Sequence, residues 1–143
     1  MKTIKVLFVE DEMLLRTLFE DAIIGYKEEY AGYDFLPEAV SDLRSAMDYL
    51  DSDKTPDVII LDLRLPSGDS GATEVPEKEN GFAILRKIKS SERLKSIPVI
   101  VFTNLSDEAT KHESLSLGAD GFLVKSKVLP VDLLGEIARV SEK

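Results

Sequence analysis

Five short runs of branched and aromatic residues recur along this chain with helical patterns between them, and this alternation constrains the fold more than any other feature. The runs fall at residues 5–9, 34–40, 58–61, 99–102 and 121–124. Between the first two, Leu14, Leu15, Leu18, Phe19, Ala22 and Ile23 recur at spacings of three and four and predict one apolar helix face. Leu43, Ala46, Met47 and Leu50 predict a second helix, and Phe82, Leu85 and Ile88 a third with Asn80 as its cap. Ser106, followed by Asp107 and Glu108, reads as the start of a fourth that stops at Gly118. Pro130 opens a fifth through Leu133, Leu134, Ile137 and Val140. Strands that are apolar throughout need cover on both faces, which helical crossovers supply to a parallel sheet. The expected class is therefore α/β, a (βα)5 doubly wound sheet in a three-layer sandwich. Pro37 is tolerable in a strand only at an edge, and the strand order 2-1-3-4-5 places it at one.

Bulk properties bound the function. With 143 residues the chain fits one domain, expected over 1–143. A net charge of −9 argues against direct nucleic-acid binding and against anionic lipid. The chain has no cysteine and one histidine, which excludes disulfides, thiolate nucleophiles and multi-histidine metal sites. No apolar run approaches the ~20 residues of a membrane span, and "MKTIKVLFVEDE" lacks a small-residue cleavage site. A cytoplasmic protein is expected. The polar link at 67–80, "SGDSGATEVPEKEN", exceeds the usual length in such units and reads as an inserted loop between the third strand and third helix.

Two of the strands end on acids. "IKVLFVEDE" runs into Glu10 and Asp11, and "DVIILDLRLP" breaks at Asp62. In a 2-1-3-4-5 sheet the strand order reverses between strands one and three, and ligands bind at that carboxyl edge. Glu10, Asp11 and Asp62 would converge there, and three crowded carboxylates call for a cation. An all-oxygen set with open positions suits Mg²⁺ shared with a phosphate. Thr103 follows the fourth run and Lys125 follows the fifth, adding a hydroxyl and an ammonium. Such a set stabilises charge on a transferred phosphoryl group, and a carboxylate within it can be the nucleophile.

At these residues the chain resembles a known family. "VLFVEDE", "VIILDLRLP", "PVIVFTN" and "LGADGFLVKS", in this order, are similar to the receiver domain of two-component response regulators, over essentially the whole chain. The resemblance implies a flavodoxin-like fold and a phosphorylation-controlled switch rather than an enzyme. It implies that Asp62 accepts a phosphoryl group from a sensor histidine kinase or a histidine phosphotransfer protein. Asp11 would ligate Mg²⁺ directly, Glu10 would assist through water, and the Arg64 main-chain carbonyl would complete the protein's share. Lys125 would pair with one phosphoryl oxygen and Thr103 with another, and Phe122, at the switch aromatic position, would turn as the loop is drawn in. The surface of the fourth helix, fifth strand and fifth helix would then control a downstream protein whose identity is not written in the chain. A homodimer stays open. Met1 and the lack of a linker-like tail favour a stand-alone form like the chemotaxis Y protein.

Departures from the family pattern fall near the site. Ser126 follows the lysine where the family has proline, Asn104 follows the threonine where it has a small residue, and Arg64 occupies a lifetime-tuning position. Two other classes remain to be weighed. A haloacid-dehalogenase-like phosphatase would need an acid two residues after its nucleophile, where Arg64 stands. A non-phosphorylated interaction module of the same fold would fail to bind Mg²⁺. Neither G-x-G-x-x-G nor a P-loop occurs. His112 reads as an exposed helical residue.

Overall fold

The five apolar runs lie side by side as one parallel sheet. The computed structural model describes residues 2–11, 13–26, 28–69 and 76–142, with the side chains at 14–16, 18 and 23 outside the described set. Its elements are β1 (Lys2–Val9), α1 (Met13–Gly25), β2 (Tyr33–Val40), α2 (Leu43–Asp51), β3 (Val58–Leu61), α3 (Lys78–Ser90), β4 (Val99–Thr103), α4 (Glu108–Ser116), β5 (Gly121–Val124) and α5 (Pro130–Ser141). The sheet order is β2-β1-β3-β4-β5, all parallel, as expected of a flavodoxin-like α/β fold. Pro37 sits on edge strand β2, opposite Val6.

Strand side chains alternate between faces, so each apolar run feeds two cores. Leu7, Val9, Ile59, Leu61, Val99 and Val101 pack with Ala46 and Leu50 of α2 and with Phe82, Leu85 and Ile88 of α3. On the other face Ile4, Val6, Phe8, Val58, Ile60, Ile100 and Phe102 meet Phe19 and Ala22 of α1 and four apolar residues of α5. Phe19 stands edge-on to Phe8, ring centroids 4.7 Å apart. The predicted α1 residues Leu14, Leu15, Leu18 and Ile23 have side chains outside the described set.

Several boundaries differ from the sequence reading. β1 begins at Lys2, because Lys2 and Thr3 pair with Tyr33 and Asp34 even though both are exposed and polar. α3 begins at Lys78 and takes Glu77 as its N-cap, without a side-chain cap bond. Asn80 is not the cap: from the first turn, its side-chain amide donates to the Leu65 carbonyl at 2.6 Å. At α4 the cap is Asp107, not Ser106, since the Asp107 carboxylate accepts the Thr110 N–H at 3.0 Å. Gly118, at φ +104°, ends that helix as expected.

The link from β3 to α3 is anchored at both ends. Pro66 and Ser67 carbonyls accept the Leu43 and Arg44 N–H groups at 3.0 Å each, capping α2. At the far end Gly81 N–H donates to the Leu63 carbonyl at 3.0 Å. A Cβ on Gly81 would lie 2.3 Å from Leu63 Cα, so only glycine lets α3 approach the loop this closely. Residues 70–75, the middle of the predicted insertion, lie outside the described residues.

Candidate functional site

Register delivers the acids to one place. Val9 of β1 pairs with Leu61 of β3, so the residues that follow, Glu10 and Asp62, leave adjacent strands at the same level. The ladder continues one step beyond the strands. Asp62 N–H donates to the Val9 carbonyl at 2.9 Å, and Glu10 N–H donates to the Val40 carbonyl at 2.9 Å. Both carboxylates therefore stand on fixed backbone. One ligand oxygen from each of Glu10, Asp11 and Asp62 lies within 4.8 Å of the others. Glu10 and Asp62 are buried, at 7% and 6% exposure, while Asp11 faces solvent.

Lys125 reaches the same point from the far strand. Thr103 pairs with Val124, and Lys125 opens a short 3-10 turn (Lys125–Lys127) directly after β5. Its ammonium lies 2.5 Å from Glu10 Oε2 and donates to Asp62 Oδ2 at 3.0 Å. Burial pulls the Lys125 pKa down most strongly. The bond to Glu10 and the charges of Asp62 and Glu10 together outweigh it and hold the ammonium above its ordinary range. If all groups are ionised, three carboxylates against one ammonium leave two negative charges, the charge of one divalent cation. Part of that excess sits on the buried Glu10 and Asp62, where leaving it without a counter-ion is costly. The oxygen donor set, part buried and part open, thus fits a hard divalent metal ion.

The remaining predicted residues surround this centre. Thr103 is buried at 1% exposure, and its hydroxyl oxygen accepts the Leu105 N–H at 3.3 Å. Arg64 has an exposed side chain in the loop just past Asp62. The loop's neighbours Leu63 and Leu65 are tied to Gly81 and Asn80 by the bonds described above. Those two α3 residues were missed as site supports. The Asn-Gly pair before an apolar helical run was the available signal, and it was read as a cap instead. Phe122, half-buried, lies opposite Val101 and packs on the α2/α3 core. Asn104 is exposed, and its side-chain oxygen accepts the Ser126 N–H at 3.2 Å. His112 is exposed on α4, as expected.

Comparison with known proteins decides the family. The family model described as "Response regulator receiver domain" matches residues 6–134. The chain belongs to that family. Receiver domains are generally regulatory rather than catalytic and partner with histidine kinases. The response regulator ArlR of Staphylococcus aureus is 33% identical over 140 residues, covering 95% of this chain and 50% of ArlR. The DNA-binding dual master transcriptional regulator RpaA of Synechocystis is 29% identical over 136 residues, covering 95% of this chain and 47% of RpaA. This receiver domain thus spans about half the length of those curated relatives.

Solved structures agree. The Mn²⁺-bound response regulator Rcp1 superposes with TM-score 0.69 at 27% identity, covering 97% of this chain and 92% of Rcp1. The phosphorylated cyanobacterial phytochrome response regulator RcpA gives 0.69 at 25% identity, covering 98% and 92%. Chemotaxis response regulator CheY4 of Vibrio cholerae gives 0.71 at 27% identity, covering 97% and 99%. Among the described residues no helix is long and apolar enough to cross a membrane.

Proposed function

We propose that this receiver domain, read as one domain over 1–143, is a phosphorylation-controlled switch of a two-component relay, with Asp62 as its acceptor. The observation that carries the reading is the buried Asp62 carboxylate at the end of β3, ringed by Glu10, Asp11 and Lys125. In the transfer, an Asp62 oxygen attacks the phosphorus of a phosphohistidine on a histidine kinase or phosphotransfer protein. The new P–O bond forms as the P–N bond breaks, and the departing imidazole nitrogen keeps the electron pair and takes a proton. The product is an acyl phosphate on Asp62.

Glu10, Asp11, Asp62 and the Arg64 carbonyl would hold Mg²⁺, which neutralises charge on the phosphoryl oxygens when bound. Lys125 is already beside Asp62, so its ammonium pairs with a phosphoryl oxygen after little movement. The Thr103 hydroxyl keeps its own hydrogen for donation, because its present bond uses only the oxygen. As Thr103 turns toward the phosphoryl group it draws the β4–α4 loop inward, and Phe122 turns toward the space so vacated. The α4-β5-α5 surface then presents a different face to a protein target. The Mn²⁺ in Rcp1 and the phosphoryl group of RcpA support this reading by relationship. A phosphatase has no such support, since Arg64 stands where its general acid would be.

Incubation with Mg²⁺ and a small acyl phosphate tests the proposal by intact mass. One added phosphoryl group is expected in the wild type and none in Asp62→Ala. No addition to the wild type, or equal addition to both, overturns it.

A further inference from the structure

The 3-10 turn that carries Lys125 has an exposed N-terminal donor, and a side chain from another loop satisfies it. First-turn N–H groups have no partner within their own helix. Ser126 N–H is one of these, and Asn104 Oδ1 accepts it at 3.2 Å across a separation of 22 residues. Proline at 126 would have no N–H to offer, and glycine or alanine at 104 would have no side-chain acceptor. The two departures from the family pattern therefore complete each other. Their position is specific: Asn104 directly follows Thr103, and Ser126 directly follows Lys125.

Thr103 and Lys125 face the site from adjacent strand ends, Thr103 pairing with Val124 at the last step of the β4–β5 ladder. The Thr103 hydroxyl oxygen is engaged within its own loop by Leu105 N–H. The Asn104–Ser126 bond carries that connection one step past the ladder, from the residue after Thr103 to the residue after Lys125. We propose that Asn104 is a positioning residue for phosphoryl acceptance, its side-chain carbonyl clamping the Lys125 turn to the Thr103 loop and so fixing the spacing between hydroxyl and ammonium. The inference rests on Asp62 being the acceptor. On this view the Asn104 side chain is directed sideways to the neighbouring loop and does not cover the acceptor.

Two measurements on Asn104→Ala test it, with Asn104→Asp as the variant that retains the acceptor oxygen. In the unphosphorylated protein, Ser126 amide exchange should quicken at least about threefold in Asn104→Ala, the scale of one exposed hydrogen bond, and stay slow in Asn104→Asp. With Mg²⁺ and acyl phosphate, the saturated phosphorylation rate should fall about three- to tenfold in Asn104→Ala. Mg²⁺ affinity should stay within about twofold, and Asn104→Asp should recover most of the rate. Unchanged Ser126 exchange overturns the clamp. So does an unchanged rate, or a loss of rate matched by lost Mg²⁺ affinity. If the wild type accepts no phosphoryl group, the acceptor reading itself fails and the role of Asn104 falls with it, an outcome distinct from a variant that behaves like wild type.

Discussion

α3 and α4 flank the same sheet and could hardly be held more differently. α3 buries Gly81, Phe82, Ile84, Leu85 and Ile88 against strands β1, β3 and β4. α4 buries only Thr110 and Ser114 and leaves Leu115 at 45% exposure. The strands differ in the same way. Every residue of β3 is buried, whereas every residue of β5 is only half-buried. The proposed acceptor and the clustered acids thus stand on the firm half, and Lys125 and Phe122 stand at the border of the loose half. On the proposed reading, a charge placed on Asp62 would shift α4 and β5 rather than the core, because local opening is cheapest where apolar contacts are fewest.

The contrast is broken first by core truncation. Phe82→Ala, fully buried in α3, should cost about 4 kcal/mol in denaturant unfolding. A cost below about 1 kcal/mol would remove the distinction. Lys125 bridges the halves, with its own side chain and those of its two partners buried. Lys125→Met leaves two buried carboxylates facing each other and should cost about 3 kcal/mol in metal-free buffer. A divalent cation should restore much of that loss, and denaturation with and without Mg²⁺ measures both.

Acid should loosen α4 before the sheet. The Thr110 hydroxyl first, and its N–H second, hold the Asp107 carboxyl below its ordinary 3.8. A lowered folded pKa gives stability that is complete above the ordinary value and is lost as pH falls through the lowered one. Thr110 amide exchange, corrected for intrinsic rate, should therefore quicken below about pH 3.8 while β1 and β3 amides stay protected, and Asp107→Asn should flatten this dependence. The smallest effect belongs to Leu115→Ala, which should stay within about 0.5 kcal/mol of wild type.

Much of this was legible before any coordinates. Parallel strands covered on both faces are apolar throughout, so β3, β4 and β5 announced themselves, and the acids after β1 and β3 marked the carboxyl edge. The polar start of β1 was hidden because pairing with β2, not burial, orders Lys2 and Thr3. Asn80 was misread because an amide before a helical run signals a cap, yet its amide serves Leu65 across the loop. The pairing of Lys125 with Glu10 was missed as well, since burial of both groups depends on three strands meeting. The Asn104–Ser126 bond joins two exposed loops, where no periodicity carries information.

The proposed phosphoryl acceptor can be located by chemistry. Borohydride reduces an acyl phosphate to an alcohol, so labelled borohydride applied to the phosphorylated protein marks the acceptor for peptide mapping. Label at position 62 alone is expected. Label at position 11, or on any hydroxyl-bearing residue instead, would contradict a pocket in which Asp62 is the nucleophile and Glu10, Asp11 and Lys125 serve it.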